Sequence, residues 1–274
     1  MLCALLLVLA CDEGIEKYKH EPNVYCILLG GSDTVSLMAG MTLGYSDSVP
    51  DSNKWNGTAG VVANIQHRGA EAVFTELPGP VGFYRVESLS IVPGDSYSLL
   101  LKYPDGAAVR GATTVPDTFS FSRLQADTVS VVPWPGDTFV EIRVKCAWNA
   151  SRGASGYVIS SDIWYGDSAE SVLVRYGPYP VSAREDSIWL SPFSYEWDTL
   201  SQALDSLPIS RVRIEVRAVD RNYRDYNELQ WSGQADPGKM HLEGAVGVFG
   251  SACIAETTIR FSPSVLTRRQ RHLQ

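Results

Sequence analysis

VEIRVKCAW, residues 140–148, alternates without a break. Val140, Ile142, Val144, Cys146 and Trp148 fall on one side; Glu141, Arg143 and Lys145 fall on the other. A period of two is the signature of a strand with one buried face, whereas a helix would repeat its apolar positions every three to four residues. The pattern returns at 211–218, RVRIEVRA, where Val212, Ile214, Val216 and Ala218 alternate with Arg211, Arg213, Glu215 and Arg217. It returns again where Tyr97, Leu99 and Leu101 alternate with Ser98, Leu100 and Lys102. Strands with one apolar face pair into antiparallel sheets stacked as sandwiches. Turn formers separate them at Gly30-Gly31, Pro93-Gly94-Asp95, Pro104-Asp105-Gly106, Pro135-Gly136-Asp137 and Pro237-Gly238. The expected fold is all-β, with two antiparallel β-sandwich domains. No long helical pattern competes; the best short candidate is Ser201–Leu207.

The length of 274 residues suits two ordinary β domains, and 45% hydrophobic residues can fill their cores. The net charge of −8 argues against nucleic acid, since phosphate binding needs a basic surface. Thirteen Tyr and seven Trp suit strands and also exposed recognition surfaces.

Residues 1–10 are uncharged and apolar. Such a run is too short for a bilayer span of about 20 residues but fits the core of a secretory signal. Val8-Leu9-Ala10-Cys11 resembles the lipobox of bacterial lipoproteins. The resemblance implies cleavage after Ala10, a diacylglyceryl group on the Cys11 thiol, and attachment to membrane lipid worth about 0.8 kcal/mol per buried CH₂. The polar stretch to residue 22, DEGIEKYKHEP, reads as a tether after Cys11. The expected location is the cell envelope, with the outer membrane favoured over the inner and the body facing periplasm or cell surface.

The first domain is expected over 23–116. Its end, VPGDSYSLLLKYPDGAAVRGATTVP (92–116), resembles immunoglobulin-like or prealbumin-like modules. The second is expected over 117–262. CAWNASRGASGYVIS (146–160) resembles the B and C strands of fibronectin type III modules, in which a Trp packs beneath a Tyr; Trp148 and Tyr157 hold the matching places. RIEVRAVDRNYRDY (213–226) resembles their F-strand region. Residues 162–210 exceed what a plain module needs and are expected to form an elaborated loop or extra hairpin. The basic tail, 263–274, is expected to be disordered. Cys11, Ala112–Pro116, Ala218–Tyr226 and Gly247–Ser251 together resemble a family of uncharacterised Gram-negative envelope lipoproteins. Its members often lie beside genes for TonB-dependent outer-membrane receptors, which implies such a receptor as partner.

Four histidines are scattered, at 20, 67, 241 and 272, and GxSxG, HExxH and P-loop motifs are absent. The chain therefore reads as non-catalytic, without metal or cofactor. Gly-rich GAVGVFG (244–250) leads into a strand rather than a helix, which suits close packing better than phosphate binding. Asp220, Asn222, Asp225, Asn227 and Glu228 are oxygen-rich, but Arg224 breaks a calcium-loop template. A turn after a strand is expected instead, with Asp220 bonding backbone N–H groups. Arg211, Arg213 and Arg217 share one strand face, expected to be a solvated face paired with carboxylates, or else a contact for an acidic partner. Trp164, Tyr165, Trp189 and Trp197 lead an aromatic set divided between core and contact surface, the expected recognition region. Cys146 and Cys253 are compatible with one disulfide or with two buried thiols. The functional expectation is a binding or accessory module. The alternatives are a structural or adhesive surface lipoprotein, or a carbohydrate binder using the aromatic residues.

Overall fold

The computed structural model describes residues 20–43, 56–134, 137–165, 172–190, 209–232 and 239–261. The strands are β1 (Pro22–Leu29), β2 (Thr34–Met41), β3 (Val62–His67), β4 (Ala70–Val73), β5 (Thr75–Glu76), β6 (Phe83–Glu87), β7 (Ser96–Lys102), β8 (Ala108–Thr114), β9 (Phe121–Trp134), β10 (Asp137–Trp148), β11 (Gly156–Tyr165), β12 (Val172–Ser182), β13 (Ser187–Leu190), β14 (Ile209–Val219), β15 (Leu242–Glu243) and β16 (Val246–Arg260). One helix, α1 (Arg221–Ser232), follows β14. The fold is an all-β sandwich, as the alternating stretches require.

Three sheets form it, in the orders β12-β11-β14-β16-β1-β2-β6-β5, β13-β10-β9 and β15-β8-β7-β3-β4. The first backs the other two. Val24, Cys26 and Leu28 of β1 project into one core with Tyr97, Leu99 and Leu101 of β7. Val144, Cys146 and Trp148 of β10 project into a second with Ile214 and Val216 of β14. The rings of Trp148 and Tyr157 meet there with centroids 5.1 Å apart, as the fibronectin-like pattern implies. β9, β10 and β13 lie in one sheet while β11, β14 and β16 lie in the other, which is the arrangement of the A, B, E and C, F, G strands of immunoglobulin-like sandwiches.

β16 joins the two bodies. Its first half runs parallel to β1, pairing Asn23 with Val246 through Leu29 with Ala252. Its second half runs antiparallel to β14, pairing Val219 with Ala252 through Arg211 with Arg260. The segment 242–252, expected in the second sandwich, thus completes the first. Leu242 and Phe249 are buried in the first core, beside Gly111. A Cβ on Gly111 would stand 2.7 Å from Leu242 Cδ2 and 3.1 Å from Phe249 Cδ1, so these side chains fill the room a larger residue would occupy.

Several other sequence expectations change. The turn expected after β14 is helix α1. Asp220 is its N-cap, accepting the N–H of Tyr223 at 3.0 Å, and Tyr223 and Tyr226 pack with Val158, Val219 and Ala252. Part of the stretch expected as an insert is regular: β12 extends the large sheet and β13 the small one. A further elaboration, which the sequence did not announce, lies between β14 and β16, where α1 and β15 intervene; residues 166–171 and 191–208 of the expected insert lie outside the described residues. Cys146 and Cys253 are free thiols in separate cores, because β16 carries Cys253 into the first and β10 carries Cys146 into the second. Burial pushes the Cys253 thiol up to about 11 and the Cys146 thiol up to about 12, so both stay protonated and inert at neutral pH. Cys11, Trp197, the 201–207 helix candidate and the basic tail lie outside the described residues.

Candidate functional site

The small sheets cover only one side of the eight-stranded sheet. Helix α1 covers part of the other, over β1 and β16. Beyond the helix, no described element packs on the outer face of β12-β11-β14-β16. Alternation decides which residues stand on it. Tyr157, Ile159 and Ile163 of β11 face the core, so Val158, Ser160, Asp162 and Trp164 face out. On β14 the same rule sends out Arg211, Arg213, Glu215 and Arg217.

Register arranges these side chains in rows across the strands. Arg175, Asp162, Arg213 and Thr258 form one row; Leu173, Trp164, Arg211 and Arg260 form the next. Asp162, 8% exposed, accepts the Arg175 Nε–H at 2.7 Å and lies 3.6 Å from Arg213. Arg213 also binds Glu256 and Glu215, and Glu215 in turn binds Arg217. Hydrogen bonding to Asp162 holds the Arg175 guanidinium above its ordinary pKa, and hydrogen bonding to Glu256 does the same for Arg213. Burial alone would lower Arg217, but the Glu215 carboxylate outweighs it and leaves the group raised. All three therefore stay charged, and they join Asp162, Glu215 and Glu256 in one network of ion pairs across the face.

A depression of about 200 Å³ opens in this network, lined by Val158, Ser160, Asp162, Arg175, Gly177 and Arg213 among others. It exists because β12 carries an extra residue opposite Ser160: Ser161 pairs with Tyr176 and Ile159 with Tyr179. Gly177 occupies the bulge at φ 95°, where a Cβ would stand 2.6 Å from the Ile159 carbonyl oxygen. At the far end of the face the Arg211 guanidinium lies 4.0 Å above the Trp164 ring, a cation–π contact.

Of the residues singled out in the sequence, Trp164, Arg211, Arg213 and Arg217 therefore share one surface. Tyr165, next in sequence to Trp164, faces the core at 4% exposed. Trp189 lies on β13 in the small sheet, paired with Lys145. The sequence reading missed Asp162, Arg175, Glu215, Glu256 and Leu173. Glu215 was visible between the arginines; Asp162, Arg175 and Leu173 were hidden because their strands read as an irregular insert.

Two histidines make carboxylate contacts elsewhere. His67 Nε2 lies 2.7 Å from Asp95 and stacks on Tyr97. His241 Nε2 lies 2.8 Å from Asp225, which also accepts from Arg224. Burial would raise Asp225, but these hydrogen bonds outweigh it and hold the carboxyl below its ordinary pKa. Among the described residues no group of three or more His, Cys, Asp or Glu converges as a metal site needs. Nor is any helix among them long and apolar enough to cross a membrane.

No family model and no curated protein matches the chain. Among solved structures it is similar to the FN1–FN3 domains of chicken CNTN1, at 16% identity and a TM-score of 0.33, over 73% of this chain and 63% of that one. It is also similar to a DUF4785 family protein from Legionella pneumophila, at 11% identity and a TM-score of 0.25, over 73% and 53%. The chain thus spans less than two thirds of either. Likenesses this distant add no argument to the strand order described above.

Proposed function

We propose that the chain is a non-catalytic recognition module of the bacterial cell envelope, anchored through an acylated Cys11 and binding with the outer face of β12-β11-β14-β16. The observation that carries this reading is the arginine–carboxylate network on the sheet, with Leu173 and Trp164 beside it. Charges held by mutual pairing present one pattern to a partner, and pattern gives specificity. Half-buried Trp and stacked Arg are the side chains that dominate binding energy at interfaces. Leu173 is 48% exposed and offers an apolar edge to the same surface. In the accessory role implied by the family resemblance, this body works beside a TonB-dependent receptor.

The test places a photo-crosslinking amino acid at Leu173 in cells, with a control at Val73, 60% exposed on the five-stranded sheet. A discrete adduct from position 173 and none from 73 is expected, together with a diacylglyceryl mass on the Cys11 peptide. Equal labelling at both positions would overturn the binding face, and an unacylated soluble chain would overturn the anchor.

A further inference from the structure

Within the ordered charges of the outer face, one pair is out of place. Arg211 and Arg260 stand directly opposite on β14 and β16, both exposed. Like charges directly opposite in a sheet destabilise it. The other like-charged opposition on this face, Glu215 with Glu256, is bridged by Arg213, which binds both. Among the described residues no carboxylate lies within ion-pair distance of Arg211 or Arg260. Arg211 is held instead over the Trp164 ring, its guanidinium carbon 4.0 Å from the ring centroid. Thr258, next along β16 on the same face, adds an exposed hydroxyl.

We propose that this row binds the acidic groups of an anionic polysaccharide, with Arg211 and Arg260 taking a carboxylate or sulfate; the proposal rests on the recognition-module reading and names its ligand. An oxyanion that presents two or more acceptor oxygens to the two guanidinium forks relieves their repulsion and satisfies both. The neighbouring surface suits a polyhydroxylated chain. Asp162, Glu215 and Glu256 accept hydroxyl protons, Arg175 and Arg213 donate, and Leu173 and the Trp164 edge meet C–H faces. An acidic peptide fits less well. Peptides commonly dock by adding to a sheet edge through main-chain hydrogen bonds. Among the described strands the edge here is β12, whose second half lacks the N–H such pairing needs at Pro178 and Pro180. Across the face itself, the three carboxylates would repel acidic side chains that carry no hydroxyls.

The test titrates the full chain with polygalacturonate, dextran sulfate, neutral dextran and poly-glutamate at low ionic strength, by calorimetry. Binding of polygalacturonate or dextran sulfate, weakened at least tenfold in R260Q and in R211Q, with neutral dextran and poly-glutamate inert, is expected. The stronger of the first two identifies the anion. The expected salt slope falls by about one charge per arginine removed. R260Q relieves a like-charge contact, so its unfolding midpoint should not drop; a weakened R260Q that is equally stable excludes misfolding. Equal binding of poly-glutamate, or binding unchanged in R260Q, overturns the proposal. If neither polysaccharide binds while crosslinking from position 173 still yields a discrete adduct, the ligand is overturned and the recognition face stands.

Discussion

At the scale of single residues, two buried aspartates tie the structure together by opposite electrostatics. Asp220, 6% exposed, accepts Thr113 Oγ1–H at 2.6 Å and the N–H groups of Tyr223 and Ser251 at 3.0 Å each. It thereby caps α1 and links β8 to β16. Burial raises its carboxyl above the ordinary value of 3.8, although these donors oppose the shift. Replacement by Ala orphans three donors and removes a cap, and should cost roughly 2–4 kcal/mol. A raised native value means the fold prefers the protonated form. Asp220's contribution is therefore fullest below pH 3.8 and declines as pH rises through the native value. Asp225 is depressed, so its contribution is present above pH 3.8 and is lost as pH falls through its native value. Urea unfolding across pH should show D220N gaining on the parent protein as pH rises. D225N should lose the acid limb of the stability curve. Parallel curves for parent and both variants would contradict the assigned shifts.

At the scale of elements, the alternating strands were legible, while β12 and β13, and the partners of every strand, were not. RVRIEVRA announces β14 because its two faces differ in polarity, and the same alternation places the arginines outward. Strand β11 sets Trp164 and Tyr165 on opposite sides, a separation that the sequence reading, with both among the recognition candidates, did not make. Helix α1 was not legible. Its apolar contacts come from Tyr223 and Tyr226 among charged neighbours, and only Asp220 marks its start. GVFGSACIA reads as a strand buried on both sides, yet nothing in it says that one half joins β1 and the other β14. The candidate site was half legible for the same reason: the three arginines lie on the self-evident strand β14, while the strand end that carries Asp162 and Trp164 falls in the stretch that reads as an insert, and the pairing of arginines with carboxylates depends on cross-strand register. Gly247 shows how tightly β16 sits. At φ 108° its Cβ position falls 2.0 Å from the Val24 carbonyl oxygen. G247A should destabilise by roughly 2 kcal/mol or more and speed amide exchange in β1 ahead of β7. Exchange that accelerates equally in both strands would deny a local role.

At the scale of the molecule, one continuous sheet makes two sandwiches a single structural unit. Phe119 packs against both cores, and β16 donates Phe249 to the first and Ile259 to the second. Bodies joined only by a linker melt separately; bodies sharing a strand should melt together. Calorimetry should show one transition. F249A, which empties a 1% exposed position, should cost about 3–5 kcal/mol. The loss should register equally at Trp148, which lies in the other core. Two transitions, with Trp148 unaffected, would refute the shared-strand account.

The parallel pairing of β1 with β16 has a mechanical meaning as well. Tension applied to the N-terminal end of β1 and resisted at the C-terminal end of β16 pulls two parallel strands in opposite directions along their length. The hydrogen bonds of the register from Asn23 to Leu29 are then sheared together rather than unzipped one by one. Load is shared across the whole seam, and the strand that merges the two sandwiches is also placed to act as their clamp against force.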